Sequence, residues 1–227
     1  MLQVQPDLLR ARVSRPLVAC VLVGIDGWEE FTRPAIESIY RHESGVRTVV
    51  VDAASKRPYG HEHDAPNAYY WRIDPSYSYA GAINAGMALA DADWTIVLNN
   101  DILCNGPFVE AVQSLDDRVL HGMQLIEFGN LRWLGGWIYA ISRECWKASG
   151  PFDPAFEACG FEDLDFCIRA RSAGFEVSLT RLPFRHLWGK TRWNLDGYDQ
   201  TRGRNKRLVE ARHGIHIGES WMWRVTE

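Results

Sequence analysis

The chain has 227 residues, 46% of them apolar and 24% charged, with a formal net charge of −4. That is enough apolar sequence for one sizeable core and too much for a disordered chain. The acidic balance speaks against a protein coated for nucleic acid. Leu17–Ile25 (LVACVLVGI) is nearly continuous apolar sequence rich in Val, the pattern of a strand buried on both faces of a parallel sheet. Trp28–Tyr40 places Phe31, Ala35, Ile36 and Ile39 at helical spacing. Thr48–Val51 is a second buried strand running into Asp52, and Tyr69–Ile73 a third. Ala80–Ala90 is small and helix-like with Gly86 inside it, and Trp94–Leu98 is a strand ending in Asn99, Asn100 and Asp101. Strands alternating with helices predict an α/β domain with a mostly parallel sheet, whose ligands collect beyond the carboxyl ends of the strands. Further on, Gly135–Ser142 reads as a strand opening on a glycine pair, Phe152–Gly160 as a loop, and Leu164–Ala173 as a helix capped by Gly174. Glu176–Leu179 is a short strand. From Gly189 onward the chain is polar and basic, which predicts a mobile loop and a weak helix around Asn205–Arg212.

Two further features bound the class. The five cysteines contain no CxxC pair, so reduced thiols are expected rather than a disulfide framework or a zinc ribbon. The longest apolar run, Leu17 to Val23, is far short of the ~20 residues a membrane span needs, and the first residues carry no signal-like stretch. A soluble, cytoplasmic protein is the expectation. The charge is uneven: Arg181 to Arg212 holds nine Lys or Arg against Asp196, Asp199 and Glu210, an excess suited to phosphate groups.

Three constellations carry chemistry. Asn99-Asn100-Asp101 sets a carboxylate at a strand end, where a hard divalent cation on a diphosphate would be held; Asn and Asp are equally the residues of a β-turn. Glu162, Asp163 and Asp165 crowd a helix N-terminus, which the helix dipole favours in any case; the functional reading makes one of them a general base. His186, in PFRHLWGKT, precedes Gly189, Lys190 and Arg192, the composition of a loop that closes over phosphates; a structural histidine is the plain alternative.

In order and spacing, these segments resemble the GT-A glycosyltransferases of the family 2 type, and in particular their rhamnosyltransferase-like branch. The resemblance runs from about Val18 to Thr191. It rests on Asp52 in VVVDAAS, on SYAGAINAGMALADADWTIVLNNDI, on GPFDPAFEACGFEDLDFCIRARSAGFEV, and on the downstream His186. It implies a Rossmann-like nucleotide-diphospho-sugar transferase fold and one domain over 1–227. Within it, 1–16 would be an extension, 17–103 the nucleotide-sugar half, 104–188 the acceptor half and 189–227 the basic tail. It further implies that Asp101 and His186 hold Mn²⁺ or Mg²⁺, and that Gly24, Asp26, Asp52, Asn84, Asn99, Asn100 and Lys190 bind the nucleotide sugar, UDP being the expected carrier. Asp163 would be the base, Glu162 would assist it or bind acceptor, and Trp137 and Gly136 would contact acceptor. The chain departs from the pattern at Asn99, where the first acid of a DxD motif is expected, and at Asp26, where an Asn is frequent.

The expected reaction is transfer of a sugar to an acceptor hydroxyl with inversion. Competing readings are a nucleotidyltransferase, although VGIDGWEE lacks a Gly-rich phosphate loop, and a non-catalytic nucleotide- or sugar-binding module, which Asn99 would permit. The class of the hydroxyl acceptor is left open between a saccharide and, less favoured, a modified DNA base that the basic tail would suit. Oligomeric state is not legible.

Overall fold

A computed structural model describes residues 15–59, 68–73, 78–187, 198–219 and 222–227. Its centre is a seven-stranded sheet. In chain order the strands that matter first are β1 (Val18–Gly24), β2 (Arg47–Asp52), β3 (Ala68–Arg72), β4 (Trp94–Asn99), β5 (Ile102–Cys104), β6 (Val119–Gly122), β7 (Leu125–Phe128), β8 (Leu131–Leu134) and β9 (Ile138–Ser142). β10 (Glu176–Leu179), β11 (Phe184–His186) and β12 (Arg224–Thr226) complete them. The main sheet runs β10-β6-β9-β4-β1-β2-β3. Its neighbours pair in parallel except at β9, which is antiparallel to both β4 and β6.

β1 is central, and all seven of its residues are buried. Its side chains alternate between two cores: Ala19, Val21 and Val23 join one, Val18, Cys20 and Leu22 the other. This is why the run has no polar alternation. Helix α1 (Arg33–His42), entered through a π-helical turn at Trp28–Thr32, covers one face with Ala35, Ile36 and Ile39. Helix α2 (Tyr79–Ala90) covers the other. Gly86 in α2 is there for contact: a Cβ on it would lie 2.3 Å from Val21 Cγ1. The Ser78 side chain caps α2 by accepting from Gly81 N.

The second half adds α3 (Val109–Gln113), α4 (Arg143–Ser149), α5 (Glu162–Ser172) and α6 (Tyr198–His213). α5 ends as expected at Gly174: its φ is +89°, and Gly174 N and Phe175 N bond to Arg171 O and Ala170 O. Two small sheets then close over the carboxyl edge of the main one. β11 pairs antiparallel with β5, setting His186 opposite Ile102; β12 and β8 flank β7.

Two expectations need correction. The strand expected from Gly135 begins at Ile138, because the glycine pair and Trp137 form the turn before it. The weak helix at Asn205–Arg212 is a 16-residue helix that buries Asn205 and Val209 completely. Asn205 Nδ2 donates to Glu157 O and Gly160 O, which fastens the helix to the loop before α5. Gly189, Lys190 and Arg192, the expected closing loop, lie outside the described residues. None of the five cysteines is in a disulfide, and no described helix is long and apolar enough to cross a membrane.

Candidate active site

At the carboxyl ends of β1 and β4 lies a cleft of about 250 Å³. One wall comes from the strand ends: Gly24, Asn99, Asn100, Asp101 and, from β11, His186. More of the lining comes from the start of α5 and from the tail: Gly160, Phe161, Glu162, Asp163, Arg202 and Trp223. Gly135, Gly136 and Trp137 also line it.

Asp101 lies two residues past the end of β4 and is 1% exposed. Its Oδ1 is 3.1 Å from His186 Nε2, and Leu187 N donates to Asp101 O at 2.8 Å. The β5–β11 pairing thus joins residues 85 positions apart in sequence. The His186 ring is held by Trp137, which stacks on it at 4.8 Å between centroids with planes 2° apart. Trp137 is buried, so it touches the site chiefly as the platform for His186. A carboxylate oxygen and an imidazole nitrogen converging in this way form a donor pair suited to a divalent cation. Among the described residues no cluster of three or more His, Cys, Asp or Glu gathers to complete a cage.

Asn99 and Asn100 have separate duties. The Tyr79 hydroxyl donates towards Asn99 Oδ1 at 2.6 Å and Gly136 O at 2.9 Å, linking β4 to the glycine turn. An amide at 99 takes this bond without adding charge to a cleft that already holds Asp101, Glu162 and Asp163. Asn100 is 1% exposed, and its Nδ2 donates to Thr32 Oγ1 at 3.0 Å. Gly24 is needed where it stands: a Cβ there would lie 2.6 Å from Asn100 Nδ2 and from the Tyr59 hydroxyl.

The acids of α5 divide by face. Asp165 is fully buried and binds Arg169 (2.8 Å), Arg212 (2.9 Å) and His213 (2.9 Å), locking α6 onto α5. Burial alone would raise its pKa, but these partners hold it below the usual carboxylate range. Glu162 is buried and accepts from Gly160 N. Asp163 is half-buried on the cleft, with Leu164 N donating to its Oδ1 at 2.8 Å. Both carboxyls are pushed above the ordinary range, Asp163 by burial and Glu162 by burial and then by the Asp163 charge. The approach to them is strained: Ala158 and Phe161 have φ of +47° and +70°.

Other expected residues are hydrogen-bonded to the chain around them. Asp52 is 3% exposed; it accepts from Ser55 N at 2.8 Å and Tyr59 N at 3.2 Å and pairs with Arg72 at 2.7 Å. Asp26, with φ of +53°, accepts from Lys56 N at 2.8 Å, and its own N–H donates to Ser55 Oγ at 2.7 Å. These two acids shape the loop after β2 beside the cleft and do not line it. Asn84 is further off: its amide clamps Phe152, donating to O at 2.7 Å and accepting from N at 2.9 Å. Conversely, sequence reasoning missed Tyr79, Trp133, Arg202 and Trp223 as cleft residues. The basic excess of the tail gave a signal for Arg202 but no way to single it out. Its neighbours Arg204, Lys206 and Arg212 pair with Glu157, Glu219 and Asp153.

No protein-family model matches the sequence, and no curated protein matches it. Solved structures do match the fold. A mannosyltransferase from Pyrobaculum calidifontis, in complex with GDP-Man and Mn²⁺, aligns with a TM-score of 0.61 at 18% identity. The alignment covers 90% of this chain and 66% of that one. GalNAc-T7 with UDP, GalNAc and Mn²⁺ aligns at 0.60 and 13% identity, over 75% of this chain and 43% of that one. The chain therefore spans about two thirds of the first and under half of the second. The fold is the GT-A fold of these glycosyltransferases.

Proposed function

We propose that the chain is a divalent-metal-dependent glycosyltransferase that moves a sugar from a nucleotide-diphosphate sugar to an acceptor hydroxyl with inversion. The observation that carries this reading is one cleft, at the carboxyl end of a GT-A sheet, lined by Asp101, His186 and Asp163 together. The GDP-Man and Mn²⁺ of one matched structure and the UDP, GalNAc and Mn²⁺ of the other support it.

Asp101 and His186 would hold the metal, with oxygens of the diphosphate supplying further ligands. A bound divalent ion supplies charge neutralisation for the departing diphosphate. The acceptor oxygen attacks the anomeric carbon as the carbon–oxygen bond to the diphosphate breaks, the bond electrons leaving with the nucleoside diphosphate. Asp163 takes the acceptor proton. A carboxyl raised by burial suits this work, since a base whose pKa lies closer to neutrality accepts a proton more readily. Glu162 keeps the strained turn in place through Gly160 N and so positions Asp163. Gly24, Asn99 and Asn100 form the floor beneath the donor; Asp26 and Asp52 act on the donor through the loop they shape, and Gly136 and Trp137 border the reacting centre. Uridine diphosphate remains our choice of carrier and a saccharide our choice of acceptor. With Arg204, Lys206 and Arg212 paired to acids, the tail offers a nucleic acid less free charge than its composition suggested.

The test is calorimetric titration with nucleoside diphosphates and nucleotide sugars, with and without Mn²⁺. The expected result is Mn²⁺-dependent binding of one nucleotide class, followed by transfer from the matching sugar. Absence of binding by every nucleotide in folded, Mn²⁺-containing samples would sink the reading.

A further inference from the structure

The lining of the cleft also includes a cation, Arg202. Arg202, on α6, lies over the rings of Phe161 and Trp223, its guanidinium carbon 5.2 Å from each centroid. It makes no hydrogen bond or ion pair among the described residues, and it is the one Lys or Arg among those lining the cleft. Cation–π attraction to two rings holds the guanidinium beside the cleft, and its N–H groups are donors suited to an anion. Around it the wall is aromatic. Trp223 meets Trp133 edge-on at 5.2 Å and Phe161 at 6.0 Å, and Ile126 completes the lining.

We propose that Arg202, Trp223 and Phe161 form an acceptor subsite for a sugar ring that bears an anionic group, carboxylate or phosphate. This rests on the glycosyltransferase reading, for the subsite is an acceptor's because it adjoins the proposed base. Arg202 packs against Gly160, two residues from Glu162, and its charge acts on Asp163 without pairing with it. Asp101 and His186, the expected holders of the donor diphosphate, come instead from the strand-end segments after β4 and in β11. The cleft otherwise holds Asp101, Glu162 and Asp163, which would repel an anionic acceptor unless a fixed cation met its charge. The aromatic rings offer the apolar face of a sugar a surface to lie against. A bidentate fork for a planar carboxylate or a phosphate is what an Arg edge provides.

The experiment uses the full chain titrated calorimetrically with glucuronate, glucose 6-phosphate and neutral glucose. At least one anionic sugar should bind about tenfold or more tightly than glucose, as a charge-assisted bidentate contact implies. Whichever of the two is preferred tells carboxylate from phosphate. Arg202→Gln should erase the preference, Arg202→Lys should keep part of it, and neither should change nucleoside diphosphate binding. Trp223→Leu should weaken all three sugars alike, which supplies a second variant should Arg202→Gln fail to fold. Equal binding of the three sugars, binding of none, or a preference that survives Arg202→Gln overturns the proposal. So does loss of nucleotide binding in folded Arg202→Gln, which would put the arginine on the donor. A wild-type protein that prefers anionic sugars yet binds no nucleotide would keep the subsite and remove the glycosyltransferase reading.

Discussion

β2 and β4 flank β1, run parallel to it, and each leads into an aspartate at the same edge of the sheet, Asp52 and Asp101. Asp52 is saturated by the chain around it: two backbone N–H groups and Arg72 take both of its oxygens. Asp101 instead meets a histidine delivered by a distant strand, and both open onto the cleft. The same contrast recurs within one turn of α5, where Asp165 is locked by three cationic or histidine partners and Asp163 faces the cleft. An acid at a strand end or a helix start therefore means little until its partners are known. One bonded on all sides by the chain contributes stability, and one that lines a cavity is placed to meet a ligand.

The sharpest way to break this contrast is at Asp163. Asp163→Asn should lower transfer by about a thousandfold, the scale of a lost general base, while nucleotide-sugar binding stays near wild type. A variant that keeps wild-type turnover would mean that another group takes the proton. Next comes the strand-end pair. Asp101→Ala should weaken Mn²⁺-dependent nucleotide binding by about tenfold or more, as removal of a metal ligand implies, with little change in melting temperature.

Asp52→Ala should do the reverse. It removes the acceptor of two buried N–H groups and the carboxylate partner of Arg72, at a cost of about 2 kcal/mol read from urea denaturation. Its effect on nucleotide binding should come only through the loop. If the two variants behaved alike, the distinction between scaffold and site would fail.

The smallest effect is in pH. Burial raises Asp163 and Glu162, so kcat/KM should fall with acidification through an apparent pKa above the ordinary carboxylate range, because the base must be ionised. The stability effect has the opposite sense. A carboxyl whose native pKa is raised holds its proton longer when folded. Its contribution is therefore present below the ordinary range and lost as pH rises through the raised values. Glu162→Gln, which still accepts from Gly160 N, should remove part of that loss. Its melting temperature should gain on wild type as pH rises, and parallel melting curves across pH would count against the buried, proton-holding Glu162.

Much of this was legible beforehand. The continuous apolar run of β1, the alternation of strands and helices, the glycine cap of α5 and the order of the acidic motifs each follow from local chemistry. They led to the right fold. Asp101 and His186 were also paired in advance, through the resemblance, and the structure brings them within hydrogen-bonding distance. Less legible was which of several polar residues would be spent internally. Asn84 looks like a ligand residue from its place in α2, and only the packing of the 152 loop reveals that it clamps backbone. Arg202 sits among similar cations in a polar helix, and its direction depends on how Asn205 and Asp165 seat that helix.

By itself the sequence determined the periodicities, hence which segments become strands and helices, and the apolar surplus that drives them into one sheet between two cores. Those are properties of neighbours along the chain. The tertiary structure decided the site. It set His186 beside Asp101 across 85 residues and Trp223 against Trp133, and it sorted the carboxylates into those that hold the fold and those that face the cleft. A side chain's chemistry depends on what desolvates it and what bonds to it, and both come from segments remote in sequence.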